Sequence, residues 1–180
     1  FNNALNKGRL AHAFLLTGIR GVGKTTTARI IAKALNCIGD GSKKNPSFEI
    51  CNNCSPCQSI NNGNFLDVIE VDAASRTGVD GIREIIDSVI YSPNNARYKV
   101  YIIDEVHMLS NAAFNALLKT LEEPPQNVKF IFATTEIKKI PATIISRCQK
   151  FDLQRVDLKT LSNHLKNICQ NESISYENDS

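Results

Sequence analysis

Gly18-Ile19-Arg20-Gly21-Val22-Gly23-Lys24-Thr25 is the stretch whose reading decides the fold. It fits G-x-x-x-x-G-K-[ST], a pattern that carries meaning only between a strand and a helix. Both neighbours are present: Ala13 to Thr17 reads as a short buried strand, and from Lys24 to Asn36 the apolar residues Ala28, Ile31, Ala32 and Leu35 recur at helical spacing. In that setting the glycines let backbone N–H groups turn inward around a phosphate, and the helix N-terminus adds its positive dipole end. Lys24 then neutralises the outer phosphates, and the Thr25 hydroxyl is placed for Mg²⁺. The expected nucleotide contacts are Gly18, Gly21, Val22, Gly23, Lys24, Thr25 and Thr26.

Outward from this loop, strand and helix signals alternate. Asp67 to Val71 reads as a strand, and Asp80 as the cap of a helix whose Ile82, Ile85, Ile86, Val89 and Ile90 share a face before Ser92-Pro93-Asn94 ends it. Lys99 to Ile103 is a nearly continuous apolar strand. A helix over 111–122 follows, with Phe114, Leu117, Leu118 and Leu121 on one stripe and Pro124-Pro125 as its stop. Val128 to Thr134, a helical turn near Pro141 to Ile145, the strand Gln149 to Leu153 and a helix over 157–170 complete the series. Five strands separated by helices predict an α/β fold with a parallel sheet covered on both faces. The expected division is an ATPase domain over 1–155 and the start of a second, helical domain over 156–180.

Val100-Tyr101-Ile102-Ile103-Asp104-Glu105 is an apolar strand that ends in two carboxylates. The carboxyl ends of parallel strands are where open α/β sheets bind ligands. Alone, such a pair is equally a solvated strand end. Together with the phosphate loop it reads as ATP hydrolysis, with Asp104 toward Mg²⁺ and Glu105 orienting and deprotonating the attacking water.

The segment 37–63 breaks the alternation with Asn, Gly, Ser and Cys in place of apolar periodicity. Cys37, Cys51, Cys54 and Cys57 have chelate spacing that suits a closed tetrahedral Zn²⁺ site, in which metal replaces a core. A redox Cys-x-x-Cys pair and free thiols are the competing readings.

With 42% hydrophobic and 22% charged residues the 180-residue chain can bury a core, which excludes disorder. Its apolar runs are too short for a membrane helix. A net charge of +3 is too small to argue for nucleic-acid binding by bulk electrostatics. The first residue is Phe1 and no signal sequence opens the chain, so the expectation is an internal piece of a longer cytoplasmic protein.

Asp104-Glu105-Val106-His107, Leu117-Leu118-Lys119-Thr120-Leu121-Glu122-Glu123-Pro124 and Ser146-Arg147-Cys148 together resemble the gamma/tau subunits of bacterial DNA polymerase III, the AAA+ motors of the sliding-clamp loader. The similarity runs from about Ala11 to Leu153 and includes the four cysteines. It implies ATP, Mg²⁺ and structural Zn²⁺ as cofactors. It also implies a hetero-pentameric ring with other loader subunits, and as partners the sliding clamp and the backbone of primer-template DNA. On this resemblance Thr135 is the first sensor, Arg147 is a finger reaching the neighbouring subunit's ATP, and Lys119 is a second basic group reaching the same nucleotide. Arg76, Arg83 and Lys139 correspond to positions that track duplex DNA. His107 reads as a packed residue beside the acidic pair, and His12 has no evident partner. Binding of DNA without sequence preference is the expectation, since no element looks like a groove-reading helix.

Overall fold

Apolar strands covered on both faces dictate the architecture. In the computed structural model, which describes residues 10–41, 45–47, 49–75 and 79–174, five strands form one sheet: β1 (Ala13–Thr17), β2 (Val68–Asp72), β3 (Lys99–Asp104), β4 (Val128–Thr134) and β5 (Gln149–Asp152). Their order is β2-β3-β4-β1-β5 and every pairing is parallel. The helices are α1 (Lys24–Asn36), α2 (Ser55–Asn61), α3 (Val79–Val89), α4 (Asn111–Glu122), α5 (Ala142–Ile145) and α6 (Leu158–Asn171).

The two faces of the sheet divide the core by the period-2 alternation of strand side chains. Leu15, Tyr101, Ile103, Phe130 and Phe132 face Ile82, Ile85 and Val89 of α3 and Phe114, Leu117 and Leu121 of α4. The intervening Phe14, Leu16, Val100, Ile102 and Ile131 face Ala28, Ile31, Ala32 and Leu35 of α1. Tyr101 stacks on Phe130 at 5.4 Å and Phe130 on Phe132 at 5.9 Å, which ties β3 to β4. Ser110 caps α4 by accepting the Ala113 N–H, and Asp157 caps α6 by accepting the Thr160 N–H.

Several details differ from the sequence expectation, and Asp80, read as a helix cap, lies inside α3. Strand β2 starts one residue late, because the buried Asp67 carboxylate accepts the N–H groups of Asn94 at 2.8 Å and of Asn95 and Ala96 at 2.9 Å. Helix α3 stops at Val89, so Ile90 leaves the buried stripe and is 80% exposed. A helix, α2, forms inside the cysteine segment, with Cys54 as its N-cap and Pro56 in its first turn. Asp67→Asn offers one carbonyl in place of a carboxylate that meets three donors. It is expected to destabilise the chain by about 1–3 kcal/mol, seen as a lower thermal midpoint; an unchanged midpoint would refute that role.

Because all strands run the same way, their carboxyl ends gather at one edge. The loop after β1, the acidic pair ending β3 and the threonines ending β4 therefore converge there. No helix among the described residues is long and apolar enough to cross a membrane.

Candidate functional site

The phosphate loop turns tightly between β1 and α1. Gly18 has φ +153°, and a Cβ there would meet the Leu153 carbonyl oxygen at 2.7 Å, so only glycine fits under the end of β5. Gly23 caps α1 in the left-handed region at φ +94° with no side-chain cap, which leaves the first-turn N–H groups of α1 for an anion. Lys24 is buried, and its ammonium donates to the carbonyls of Gly18 and Ile19 at 3.1 Å each. The Thr25 hydroxyl donates to Asp104 Oδ2 at 2.5 Å, joining the loop to β3. Gly21, Gly23, Lys24, Thr25, Thr26, Asp104 and Glu105 line one cleft of about 380 Å³. Arg20, unremarkable as a variable loop position in the sequence, lines it too. Val22 lies against Gly18 instead, with its Cγ1 2.9 Å from where a Gly18 Cβ would be.

Glu105 sits at φ +45°, ψ +45°, a left-handed conformation that costs a non-glycine residue on the order of 1 kcal/mol. The Asp104 Oδ1 atom accepts its N–H at 2.9 Å, and the 3-10 turn Val106–Met108 follows directly. Glu105 Oε2 accepts the Thr135 N–H at 3.2 Å and its hydroxyl at 3.0 Å, so the residue read as water-activating and the one read as first sensor are in contact. Its neighbour Thr134 is buried and turned away, with Oγ1 3.0 Å from His107 Nδ1. A phosphate cradle, a hydroxyl–carboxylate pair suited to a hard cation and a carboxylate beside open space can together bind a nucleoside triphosphate and activate water.

Arg147 lies elsewhere. It precedes β5, whose Gln149 pairs with Phe14 and whose Asp152 pairs with Thr17, so it occupies the sheet edge opposite the phosphate loop. The length of β1, about 16 Å at 3.3 Å per residue, separates the two edges. Its guanidinium pairs with Glu122 Oε1 at 2.5 Å and donates to the Thr143 carbonyl at 2.7 Å, with the side chain 34% exposed. Lys119 is exposed on α4 and Arg83 on α3, whereas Lys139 is exposed and paired with Glu136 at 2.9 Å. Arg76 falls outside the described residues. The buried His12 Nδ1 has no hydrogen-bond partner, and burial together with Lys129 lowers the basicity of the ring.

The four cysteines cluster. All four Sγ atoms lie within 4.8 Å of one another, with Cys37 Sγ 3.6 Å from Cys51 Sγ and 4.0 Å from Cys54 Sγ. Zinc–sulfur bonds of about 2.3 Å in a tetrahedron space the sulfurs about 3.8 Å apart, so the cluster fits Zn²⁺. A disulfide needs about 2.05 Å, and all four cysteines are free. The N–H groups of Cys54 and Asn53 draw the Cys51 thiol down to about 6, while burial and the neighbouring Cys54 and Cys37 push Cys57 far up. A divalent cation would relieve Cys57 by taking the sulfur as thiolate. Cys37 caps the far end of α1, about 20 Å from Lys24 at 1.5 Å per residue, so the cluster is remote from the cleft. Cys148, pushed up to about 12 by burial, is a packed and unreactive thiol.

Residues 1–157 match the family model described as DNA polymerase III, delta subunit. The chain belongs to this family of DNA polymerase III subunits. It is 53% identical to a DNA polymerase III subunit tau/gamma of Haemophilus influenzae over 97% of its own length and 25% of the relative's. It is 55% identical to a DNA polymerase III subunit gamma of Buchnera aphidicola subsp. Acyrthosiphon pisum over 96% of its own length and 46% of the relative's. The resemblance to gamma/tau read from the sequence is borne out, and the chain spans a quarter to under a half of these relatives. Among solved structures, the Thermotoga maritima RuvB Holliday junction branch migration motor matches with a TM-score of 0.64 and 22% identity, over 97% of this chain and 48% of that one. At that identity the likeness is one of fold, the AAA+ fold of a DNA polymerase III subunit.

Proposed function

We propose that this chain is the nucleotide-binding part of the ATPase motor subunit of the DNA polymerase III clamp loader, in which ATP binding and DNA-triggered hydrolysis load the sliding clamp onto primed DNA. The observation that carries this reading is the convergence of Lys24, Thr25, Asp104 and Glu105 on one polar cleft, with the Thr135 hydroxyl bonded to Glu105. In it, loop N–H groups and Lys24 hold the triphosphate. Glu105 orients the attacking water and takes its proton as the γ-phosphoryl group passes to it, giving ADP and phosphate. Thr135 keeps the Glu105 carboxylate facing that water. Thr25 and Asp104 would hold Mg²⁺, which supplies charge neutralisation on the phosphates.

Arg147, on the opposite sheet edge from its own cleft, serves the nucleotide of a neighbouring subunit in the hetero-pentameric ring, and Lys119 is a second basic group reaching the same nucleotide. Arg83, Arg76 and Lys139 contact the DNA backbone without sequence preference. Residues 1–155 form the ATPase domain and 156–180 begin the helical lid, in a cytoplasmic replication protein. The reading is tested by clamp loading onto primed circular DNA with the full-length subunit and its partners. Lys24→Ala is expected to lose ATP binding and loading together; loading at the wild-type rate would reject the proposal.

Cys37, Cys51, Cys54 and Cys57 would hold Zn²⁺ as a cross-link between α1 and the segment that leads into α2. One equivalent of zinc per chain is expected on elemental analysis. A strong chelator should loosen residues 37–60 in hydrogen exchange and lower the melting temperature, with nucleotide affinity retained, because the cluster and the cleft are at opposite ends of α1. A protein with no bound zinc and full stability would contradict this.

A further inference from the structure

Holding a divalent cation requires the four gathered sulfurs to be thiolates, and the filled centre then carries a net double negative charge. The sulfurs come from three stretches of chain: Cys37 caps α1, Cys51 and Cys54 stand in the turn before α2, and Cys57 lies in the first turn of α2. Bringing them together costs chain entropy, so metal affinity depends on how far the three stretches are already held in place. Apolar packing contributes little here, since α2 buries only Pro56, Cys57 and Ile60.

One residue touches all three stretches. Lys33 lies one helical turn before Cys37, and its carbonyl accepts the Cys37 N–H at 2.7 Å. Its ammonium donates to Asn52 Oδ1 at 3.2 Å, between Cys51 and Cys54, and to Asn61 Oδ1 at 2.9 Å, at the last residue of α2. These acceptors lie 19 and 28 residues further along the chain, so the two bonds close the cysteine segment back onto α1. Asn52 is left-handed at φ +57°, in the turn where the Cys54 N–H donates to Cys51 Sγ at 3.3 Å. Both acceptors of Lys33 are neutral amides, so its positive charge is not cancelled by the groups that hold it.

We propose that Lys33 is a positioning residue for the metal centre, tying the Cys51–Cys54 turn and α2 to α1 so that the four sulfurs converge, with its charge offsetting that of the tetrathiolate. A site built this way binds its cation more tightly because less of the segment remains to be ordered on binding. The inference rests on the zinc reading and adds to it the side chain that sets the affinity. Lys33 touches none of the sulfurs through its ammonium contacts, so it acts through Asn52 and Asn61.

The test is metal binding by the full-length subunit, stripped of metal and kept reduced. Zn²⁺ affinity is read by competition with a chromophoric chelator, and Co²⁺ by its thiolate charge-transfer and tetrahedral d–d absorption. Lys33→Ala should weaken both ions by about tenfold or more, the range carried by groups that orient metal ligands. The Co²⁺ spectrum at saturation should keep its tetrathiolate form, because all four sulfurs remain. Lys33→Arg, which retains charge and donors, should restore most of the affinity. Asn61→Ala, at an exposed position where misfolding is not at issue, should weaken binding in the same sense and add nothing further to Lys33→Ala in the double variant. Loss of packing alone would lower the thermal midpoints of the metal-free and metal-loaded chains together and leave the affinities unchanged. If Lys33→Ala and Asn61→Ala both bind with wild-type affinity, or if their losses simply add, the role of Lys33 is overturned while the zinc reading stands. If the wild-type subunit takes up neither ion, both are overturned.

Discussion

Arg147→Ala in the assembled complex is expected to cut DNA-stimulated ATP turnover by about 10³-fold or more, the range that an arginine finger contributes in related chemistry. ATP affinity should stay close to wild type. The reason lies in the parallel register: Gln149 pairs with Phe14 while the phosphate loop follows Thr17, so Arg147 and its own cleft occupy opposite edges of the sheet. A cation so placed cannot stabilise charge developing on its own subunit's phosphates. Within this chain its guanidinium is held by Glu122 and by the Thr143 carbonyl, beside the end of α4. A neighbour's triphosphate would compete with Glu122 for it, and the ion pair, partly open to water, is weak enough to yield. Turnover and nucleotide binding measured on the same complex check this. Equal losses in both would place Arg147 in a structural role.

Glu105→Gln is the second large effect. Removing a general base costs about 10² to 10⁴ in rate. The amide keeps the shape of the side chain and can still accept from Thr135, so the strained turn at φ +45° and the cleft wall should persist. The loss is therefore expected in kcat, with KM for ATP nearly unchanged, which marks an interaction made in the transition state. Single-turnover hydrolysis against equilibrium nucleotide binding separates the two quantities. A variant with raised KM and intact kcat would assign Glu105 to binding instead.

The strands were legible where both faces of the sheet are covered, because β1, β3 and β4 must then be apolar along most of their length. Helices α1 and α4 were legible from the 3.6-residue spacing of Ala28, Ile31, Ala32 and Leu35 and of Phe114, Leu117 and Leu121. What local pattern cannot carry is where a chain turns for tertiary reasons. Asp67 looks like the first residue of a strand, yet its carboxylate holds the backbone 27 residues further on. Ile90 fits the apolar stripe of α3, yet the helix ends before it.

The same limit applies to the site. The phosphate loop is contiguous and so was read directly, whereas the contact between Glu105 and Thr135 exists because β3 and β4 are neighbours whose carboxyl ends meet. The His107–Glu136 contact spans the same strand pair and has no signature in spacing. Sheet order, which sets all of these, is written in no single segment. The cysteines were the converse case: no core pattern announced their fold, but ligand spacing alone brought four sulfurs to one centre.

The most direct measurement is steady-state ATP turnover of the full-length subunit reconstituted with its loader partners and clamp, with and without primed DNA, for wild type and Lys24→Ala. The account predicts turnover that rises on primed DNA and is lost in Lys24→Ala, because that buried ammonium exchanges the Gly18 and Ile19 carbonyls for phosphate oxygens. Turnover in Lys24→Ala equal to wild type would contradict it.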